Sequence, residues 1–280
     1  AGRAFAINGS KSVGKPRGAG IVFISVFTFI CLLFIPVTME FTFYLALTFA
    51  AMLSGFLDDR SEKPWGELKK GTIDFGIASA SALTYLYFNP ATFEIAFLSR
   101  TVSIPPAIFA LLIVILVWTS INVTNCTDGI DGLSGTLVCI SLFTIYMLFS
   151  IFNMDHHFQN SIIIMVVCIL AYLWFNASPS KVLMGDAGSR AMGIFVAFAI
   201  LKSGRPLLFI PVALMLIIDG GLGLLKVSFL RFLKIKILKN TRTPIHDHMR
   251  KNKEWSDTQV VFRFAIIQIV IGLGVIYALH

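Results

Sequence analysis

The chain has 280 residues, of which 56% are hydrophobic and 14% charged, and a formal net charge of +8; its mean hydropathy is +0.82. A soluble domain carries about 25% charged residues, so this composition excludes a soluble globular protein and predicts an all-α, polytopic integral membrane protein. Cys31, Cys126, Cys139 and Cys168 lie in or beside apolar runs, at spacings that match no metal motif and propose no disulfide.

Residues 1–20 are polar and glycine-rich, without the short apolar core of a secretory signal peptide. Lys11, Lys15 and Arg17 stand there among Gly14, Gly18 and Gly20. Such a mixture suits phosphate held by backbone N–H groups and cations; a flexible basic anchor before a span reads equally well. Crossing a bilayer takes roughly 20 apolar residues. On that ruler nine spans are predicted: Ile21–Val37, Phe41–Leu57, Thr72–Phe88, Ile104–Ile121, Leu133–Phe152, Ser161–Phe175, the short Ala191–Leu201, Pro206–Leu230 and Val260–Leu279. No soluble domain of useful size remains, so residues 1–280 read as one membrane-embedded domain.

Polar clusters interrupt these spans. Asp58 and Asp59 end the second one, where adjacent acids are costly unless they are used or solvated; Lys69 and Lys70 follow and read as flanking charges. The densest cluster is Asn122-Val-Thr-Asn125-Cys-Thr-Asp128-Gly129-Ile-Asp131-Gly132, pressed between two apolar runs. One Asn or Asp suffices for a turn. Two of each, with Gly129 and Gly132 clearing space for a close backbone approach, supply the oxygen ligands of a hard divalent cation or of a phosphate held through it. A calcium-binding EF-hand is excluded by spacing, since the apolar run resumes at Leu133. Further on, Met184-Gly185-Asp186-Ala-Gly188-Ser189-Arg190 exposes one carboxylate at a helix start, where free N–H groups favour an anion.

The longest loop begins with Arg231, Lys234, Lys236 and Lys239 among apolar residues at helix-like spacing, which predicts a segment lying along the membrane surface. It continues through Thr243-Pro244-Ile245-His246-Asp247-His248. His-x-His lacks a nearby cysteine or third histidine for zinc, so phosphate or sugar contact is the better use of the pair.

With strict alternation of spans, 18 of the 23 lysines and arginines fall in loops 1–20, 58–71, 126–132, 176–190 and 231–259. The excess of positive charge makes that face cytoplasmic. Topology thus accounts for the basic balance without nucleic acid, and anionic lipid head groups and a polyanionic substrate are the expected partners. Every polar cluster lies on the same face. Carboxylates, amides, histidines and cations meeting there imply a metal-assisted site for a phosphorylated substrate. The alternative class is a secondary transporter, which keeps its site near the midplane at broken helices within repeats; here the acids sit at span ends, and no repeat is apparent.

These motifs resemble the polyprenyl-phosphate N-acetylhexosamine-1-phosphate transferase superfamily, most closely its phospho-N-acetylmuramoyl-pentapeptide transferase branch. The resemblance rests on Asp58-Asp59, on Asn122-x-x-Asn125-x-x-Asp128-Gly-x-Asp131-Gly-Leu, on Met184-Gly185-Asp186-x-Gly-Ser and on Thr243-Pro244-Ile245-His246-x-His248, and it runs through Trp255 and Val260–Phe264. It implies ten spans, the first upstream of residue 1, in a bacterial inner membrane, with the active site on the cytoplasmic face. It also implies UDP-N-acetylmuramoyl-pentapeptide as donor, undecaprenyl phosphate as acceptor, release of UMP, and magnesium. By the same resemblance Asp186 is the principal metal ligand, with Asn125, Asp58 and Asp59 around it. Asp58, Asp59, Asp186, His246 and His248 carry the chemistry. Lys15, Arg17, Asn122, Asn125, Asp128, Gly129, Asp131 and Leu183 bind substrate, Asp128 and Asp131 toward the uridine end and the histidines toward the diphosphate and sugar. Membrane lipids and a second copy of the chain complete the expected partners. Three features depart from the pentapeptide branch: Leu183 replaces a usual Phe, Lys15-Pro16-Arg17 alters the first loop, and Asp247 and Arg250 alter the histidine motif. They keep UDP-N-acetylglucosamine open as the alternative donor.

Overall fold

A computed structural model describes residues 14–63 and 65–280. Lys11 lies outside the described residues. The helices are α1 (Gly20–Phe34), α2 (Met39–Arg60), α3 (Glu67–Phe88), α4 (Pro106–Thr127), α5 (Leu133–Ile151), α6 (His156–Asn176) and α7 (Gly185–Lys202). A bent pair follows, α8 (Pro206–Val212) and α9 (Leu214–Leu233), and then α10 (Ile245–Asn252) and α11 (Asp257–Leu279). Thr38 caps α2 by accepting from the Phe41 N–H at 3.1 Å, and Ser256 with Gln259 forms a reciprocal capping box on α11. Among the described residues five helices are long and apolar enough to cross a membrane, or six if the bent pair counts as one.

The sequence predicted the helices well and their roles less well. Ala191–Leu201 looked short because its first turns are polar. In the fold α7 begins at Gly185 and every residue from Gly185 to Leu201 is buried. It is the central post, packed against α1, α2, α4 and α5. Small residues allow those contacts. A β-carbon on Gly193 would meet the Ser120 carbonyl oxygen at 2.6 Å, and one on Gly55 would meet the backbone of Asp186.

The span expected over Pro206–Leu230 is broken by 71° between α8 and α9. Pro211 cannot donate a backbone hydrogen bond there. The groups freed by the break are taken up by Gln268 of α11, which is fully buried. Its amide donates to the carbonyls of Pro211 at 3.1 Å and Val212 at 2.9 Å and accepts from the Met215 N–H at 2.9 Å.

Two further differences are local. Arg231–Lys239 does not form the expected surface helix: α9 ends in a π-helical turn at Phe229–Leu233, and Lys234 adopts a left-handed φ of 60° that stops it. The all-α expectation also omitted a hairpin, Thr92–Ile95 (β1) paired antiparallel with Arg100–Ser103 (β2). It docks on the end of α7 through Glu94 N–H to Gly204 O at 2.8 Å.

Candidate functional site

The polar clusters converge where α2, α4 and α9 meet the starts of α3 and α7. The first loop runs beside residue 183: Leu183 N–H donates to Pro16 O at 2.9 Å, and Leu183 O accepts from Gly18 and Ala19 at 3.0 Å each. This pairing delivers Lys15 and Arg17 to the site and holds Leu183 by its backbone. Gly185 then turns at φ +69°, and a β-carbon there would collide with Asp59 Oδ2. A glycine is therefore required twice over, for the turn and for the space.

Asp58, Asp59 and Asp186 form one acidic group with two cations among them. Lys70 Nζ contacts Asp58 Oδ2 and lies 3.1 Å from Asp186 Oδ2. Arg17 Nε lies 2.9 Å from Asp59 Oδ1, and its Nη2 lies 3.5 Å from Asp186 Oδ1. Asp58 Oδ1 also accepts from the Trp65 N–H at 2.8 Å, which fixes the turn between α2 and α3. Asp59 Oδ2 is buried with no hydrogen-bond partner. Lys70, read from the sequence as a flanking charge, is thus the central cation of the cluster. Its spacing from Asp58 gave no signal, because a non-helical turn separates them.

The Asn/Asp loop reaches this group in three directions. Asn125 Nδ2 donates to Ser189 Oγ at 3.0 Å, committing its amide nitrogen and leaving its Oδ1 as an acceptor. Asp131 Oδ2 accepts from the Ser180 N–H at 3.0 Å and faces Lys15 Nζ at 3.5 Å, tying three loops together. Asp128 sits in the turn after α4. Burial pushes its carboxyl well above the usual carboxylate range, and the charges of Asp186, Asp59 and Asp131 add to the shift while Arg17 opposes it. Among the described residues no three acidic, histidine or cysteine side chains stand as a finished metal-ligand set. Lys70 and Arg17 lie between the carboxylates.

Asn122 is set apart from the group. Its Nδ2 donates to Trp118 O within α4 at 2.9 Å, and it flanks the Asp74–Arg190 ion pair, which is almost wholly buried between α3 and α7. Neither Asp74 nor that pair was read from the sequence, although an acid and an arginine facing apolar runs are unusual enough to have been a signal.

The histidines divide. His246 is buried, and its ring lies over Gly129, where a β-carbon would strike Nε2. Its backbone N–H donates to Asp219 Oδ1 at 2.6 Å and its Nδ1 lies 2.8 Å from Asp219 Oδ2. Asp219, fully buried in the π-helical turn Ile217–Gly221, was missed inside an apolar run. His248 is half-buried, with Nδ1 accepting from the Arg242 N–H at 3.3 Å, and has no contact with the carboxylate group. Arg250, a departure in the histidine motif, is committed to Asp257 at 2.8 Å and Asp247 at 3.5 Å. Arg242, Lys251 and Lys253 remain exposed.

Residues 41–204, more than half of the chain, match the family described as glycosyl transferase family 4. The chain belongs to that family. It is 39% identical over 300 aligned residues to a phospho-N-acetylmuramoyl-pentapeptide-transferase of Treponema pallidum, covering 100% of this chain and 83% of the relative. A protein of the same name from Wolbachia sp. subsp. Brugia malayi is 27% identical over 91% of this chain and 81% of its own length. Another, from Dictyoglomus thermophilum, is 34% identical over 42% of this chain and 39% of its own. The matched family segment holds Asp58, Asp59, Lys70, Asn125, Asp128, Asp131 and Asp186. Glycosyl transferase family 4 therefore covers the carboxylate group, while from outside the matched residues Arg17 reaches that group, Lys15 reaches Asp131, and His246, held by Asp219, reaches Gly129.

Proposed function

We propose that this enzyme transfers phospho-N-acetylmuramoyl-pentapeptide from UDP-N-acetylmuramoyl-pentapeptide to undecaprenyl phosphate in a bacterial inner membrane, releasing UMP, as a step of peptidoglycan synthesis. The observation that carries the reading is the group of Asp58, Asp59 and Asp186 bridged by Lys70 and Arg17, in a chain 39% identical along its whole length to a transferase of that name.

In this reading an acceptor phosphate oxygen attacks the donor's β-phosphorus. The new P–O bond forms as the bond to the bridging oxygen breaks, and UMP leaves with that oxygen. Lys70 and Arg17, which now neutralise carboxylates, are the cations in reach of the phosphates. One of Asp58 and Asp59 takes the acceptor's remaining proton, and Asp59 holds the carboxylate oxygen without a partner. His246 and His248 meet the diphosphate and sugar, Asp128 and Asp131 the uridine end, and Leu183, Asn122 and Gly129 line the donor's path.

The residues fit a magnesium ion. The donors are hard oxygens, Asp58 and Asp186 already face one shared cation in Lys70, and Asp59 Oδ2 is an unsatisfied buried ligand atom. Asp186, Asp58, Asp59 and Asn125 would hold the ion, which when bound neutralises the diphosphate charge.

Nine spans with the site on the cytoplasmic face account for the charge distribution. α1, α3 and α7 would join the apolar helices as spans, α7 shielded from lipid by its neighbours. Cysteines at Glu62 and Asn252 in a cysteine-free background should resist an impermeant thiol reagent in intact cells, and one at Leu98 should react. The reverse pattern would turn the site outward, away from a cytoplasmic nucleotide sugar.

Radiolabelled transfer by the purified chain with undecaprenyl phosphate, magnesium and a panel of UDP-sugars tests the activity. Turnover of the pentapeptide donor is expected, with little from UDP-N-acetylglucosamine. Equal or better turnover of UDP-N-acetylglucosamine would reassign the donor.

A further inference from the structure

The Asp219–His246 contact goes beyond the reading above and rests on it for the reaction. Asp219 lies in α9, 27 residues before His246, and is fully buried. A carboxylate without a partner in such a place would be strongly destabilising. It meets His246 twice, with Oδ1 accepting the backbone N–H at 2.6 Å and Oδ2 facing Nδ1 at 2.8 Å. The backbone contact secures the start of α10, and the side-chain contact secures the ring. Two packing features make the grip rigid. The π-helical turn bearing Asp219 sits against α4, where a β-carbon on Gly220 would overlap the Val123 backbone. On its other side the ring lies over Gly129 with Nε2 nearest, leaving no room for a side chain.

We infer that Asp219 is a positioning residue for the transfer: it holds the proton of His246 on Nδ1 and fixes the ring so that Nε2 alone faces the Asp128-Gly129 turn. A carboxylate accepts but does not donate. With Nδ1–H bound to Asp219 the ring cannot exchange its two nitrogens by flipping, and Nε2 becomes the only ring atom able to meet substrate, accepting from a substrate O–H or, in the doubly protonated ring, donating to a phosphate oxygen. The broken span explains why this acid lies inside an apolar run: the bend between α8 and α9 lets the π-helical turn approach the loop of α10, and Asp219 is its contact point. The role is to orient the ring, and no contact of Asp219 with substrate is required.

The test uses the full chain in lipid nanodiscs with UDP-N-acetylmuramoyl-pentapeptide, undecaprenyl phosphate and magnesium. Asp219→Asn, which presents an amide that can donate toward Nδ1 as well as accept, should lower kcat about 10²-fold with little change in donor KM. Asp219→Glu should recover a substantial part of that loss. In a His246→Gln background Asp219→Asn should cost nothing further, because both changes remove one unit. Independent, multiplying effects would overturn the inference. So would a loss in Asp219→Asn that appears only as reduced folded protein, with normal turnover per folded molecule. The spectroscopic arm needs no turnover. ¹⁵N-histidine NMR, with the His246 signal assigned by its loss in His246→Gln, should show Nδ1 protonated in the unmodified chain and altered in Asp219→Asn or, should that variant not fold, in Asp219→Glu. An Nε2-protonated neutral ring in the unmodified chain would sink the proposal. Failure of every donor in the transfer assay, with the NMR result as expected, would count against the proposed reaction and leave the positioning role standing.

Discussion

The two ends of the helix bundle use their charged groups in opposite ways. At the end remote from the carboxylate group, Lys202 Nζ lies 3.0 Å from both carboxylate oxygens of Glu40 and 3.2 Å from Asn89 Oδ1. Glu40 also accepts from Tyr44 at 2.8 Å and from the Asn89 amide at 2.6 Å. Beside it Arg205 pairs with Glu94 at 2.5 Å, donates to Ser203 O at 3.1 Å and stacks 3.4 Å over Phe152, with only its Nε left over. Nearly every donor there finds its acceptor. At the other end three acids share two cations, one carboxylate oxygen has no partner, and Asp128 is held where ionisation is disfavoured. A satisfied network stabilises a fold; an unsatisfied one keeps ligand atoms free and costs stability where function resides.

The strongest way to break this contrast is Asp186→Asn. It should reduce magnesium-dependent transfer by at least ~10²-fold, since charge stabilisation at a transferred phosphoryl group is a large contribution. The thermal unfolding midpoint should fall only modestly, because Lys70 and Arg17 each lose one carboxylate but keep another in Asp58 and Asp59. Near-normal turnover of the pure variant would remove Asp186 from its role. Chelation by EDTA should abolish transfer in the parent enzyme, with activity returning on addition of magnesium.

At the satisfied end the signs reverse. Lys202→Met leaves the partly buried Glu40 carboxylate without its cation and should cost about 1–3 kcal/mol of stability, read as a lower midpoint in thermal unfolding. Transfer per folded molecule should remain. A variant as stable as the parent would show that this network does not hold the bundle together.

Asp128→Asn sharpens the comparison, because it should raise stability while lowering turnover. A carboxyl whose folded-state pKa is raised loses stability as pH rises from its unfolded value to its folded value. The asparagine variant should therefore match the parent near pH ~3, where an unperturbed Asp is still largely protonated, and exceed it at neutral pH. Thermal melts across that range read the difference directly. A variant less stable than the parent at pH 7 would contradict the repulsion described here.

The smallest effect is expected from Leu183→Phe. The backbone at 183 is held by the first loop whatever its side chain, so the fold should tolerate the change. An aromatic ring there would add about 0.5–1.5 kcal/mol of stacking, seen as a lower donor KM with kcat unchanged. An unchanged KM would show that residue 183 does not stack on the donor.

Much of this was legible in the residues because it depends on local pattern. Apolar runs of membrane length define helices wherever they occur, and acids, amides and glycines at their ends need solvent or a ligand. That sufficed for the helices, for the placement of Asp58, Asp59, Asn125, Asp128, Asp186 and His246 at or beside helix ends, and for the family resemblance. Partnership across the chain could not be read in the same way. Lys70 meets Asp186 across 116 residues of sequence, and nothing near Lys70 distinguishes it from Lys69. Asp219 is hidden in an apolar run because its partner arrives on another helix. Gln268 answers the break at Pro211 from 57 residues away. The hairpin at 92–103 and the left-handed stop at Lys234 depend on docking and backbone geometry that apolar periodicity does not encode. Sequence alone determined which segments form apolar helices and which polar residues stand at their ends. Only tertiary structure decided which charge answers which, because an ion pair depends on distance in space.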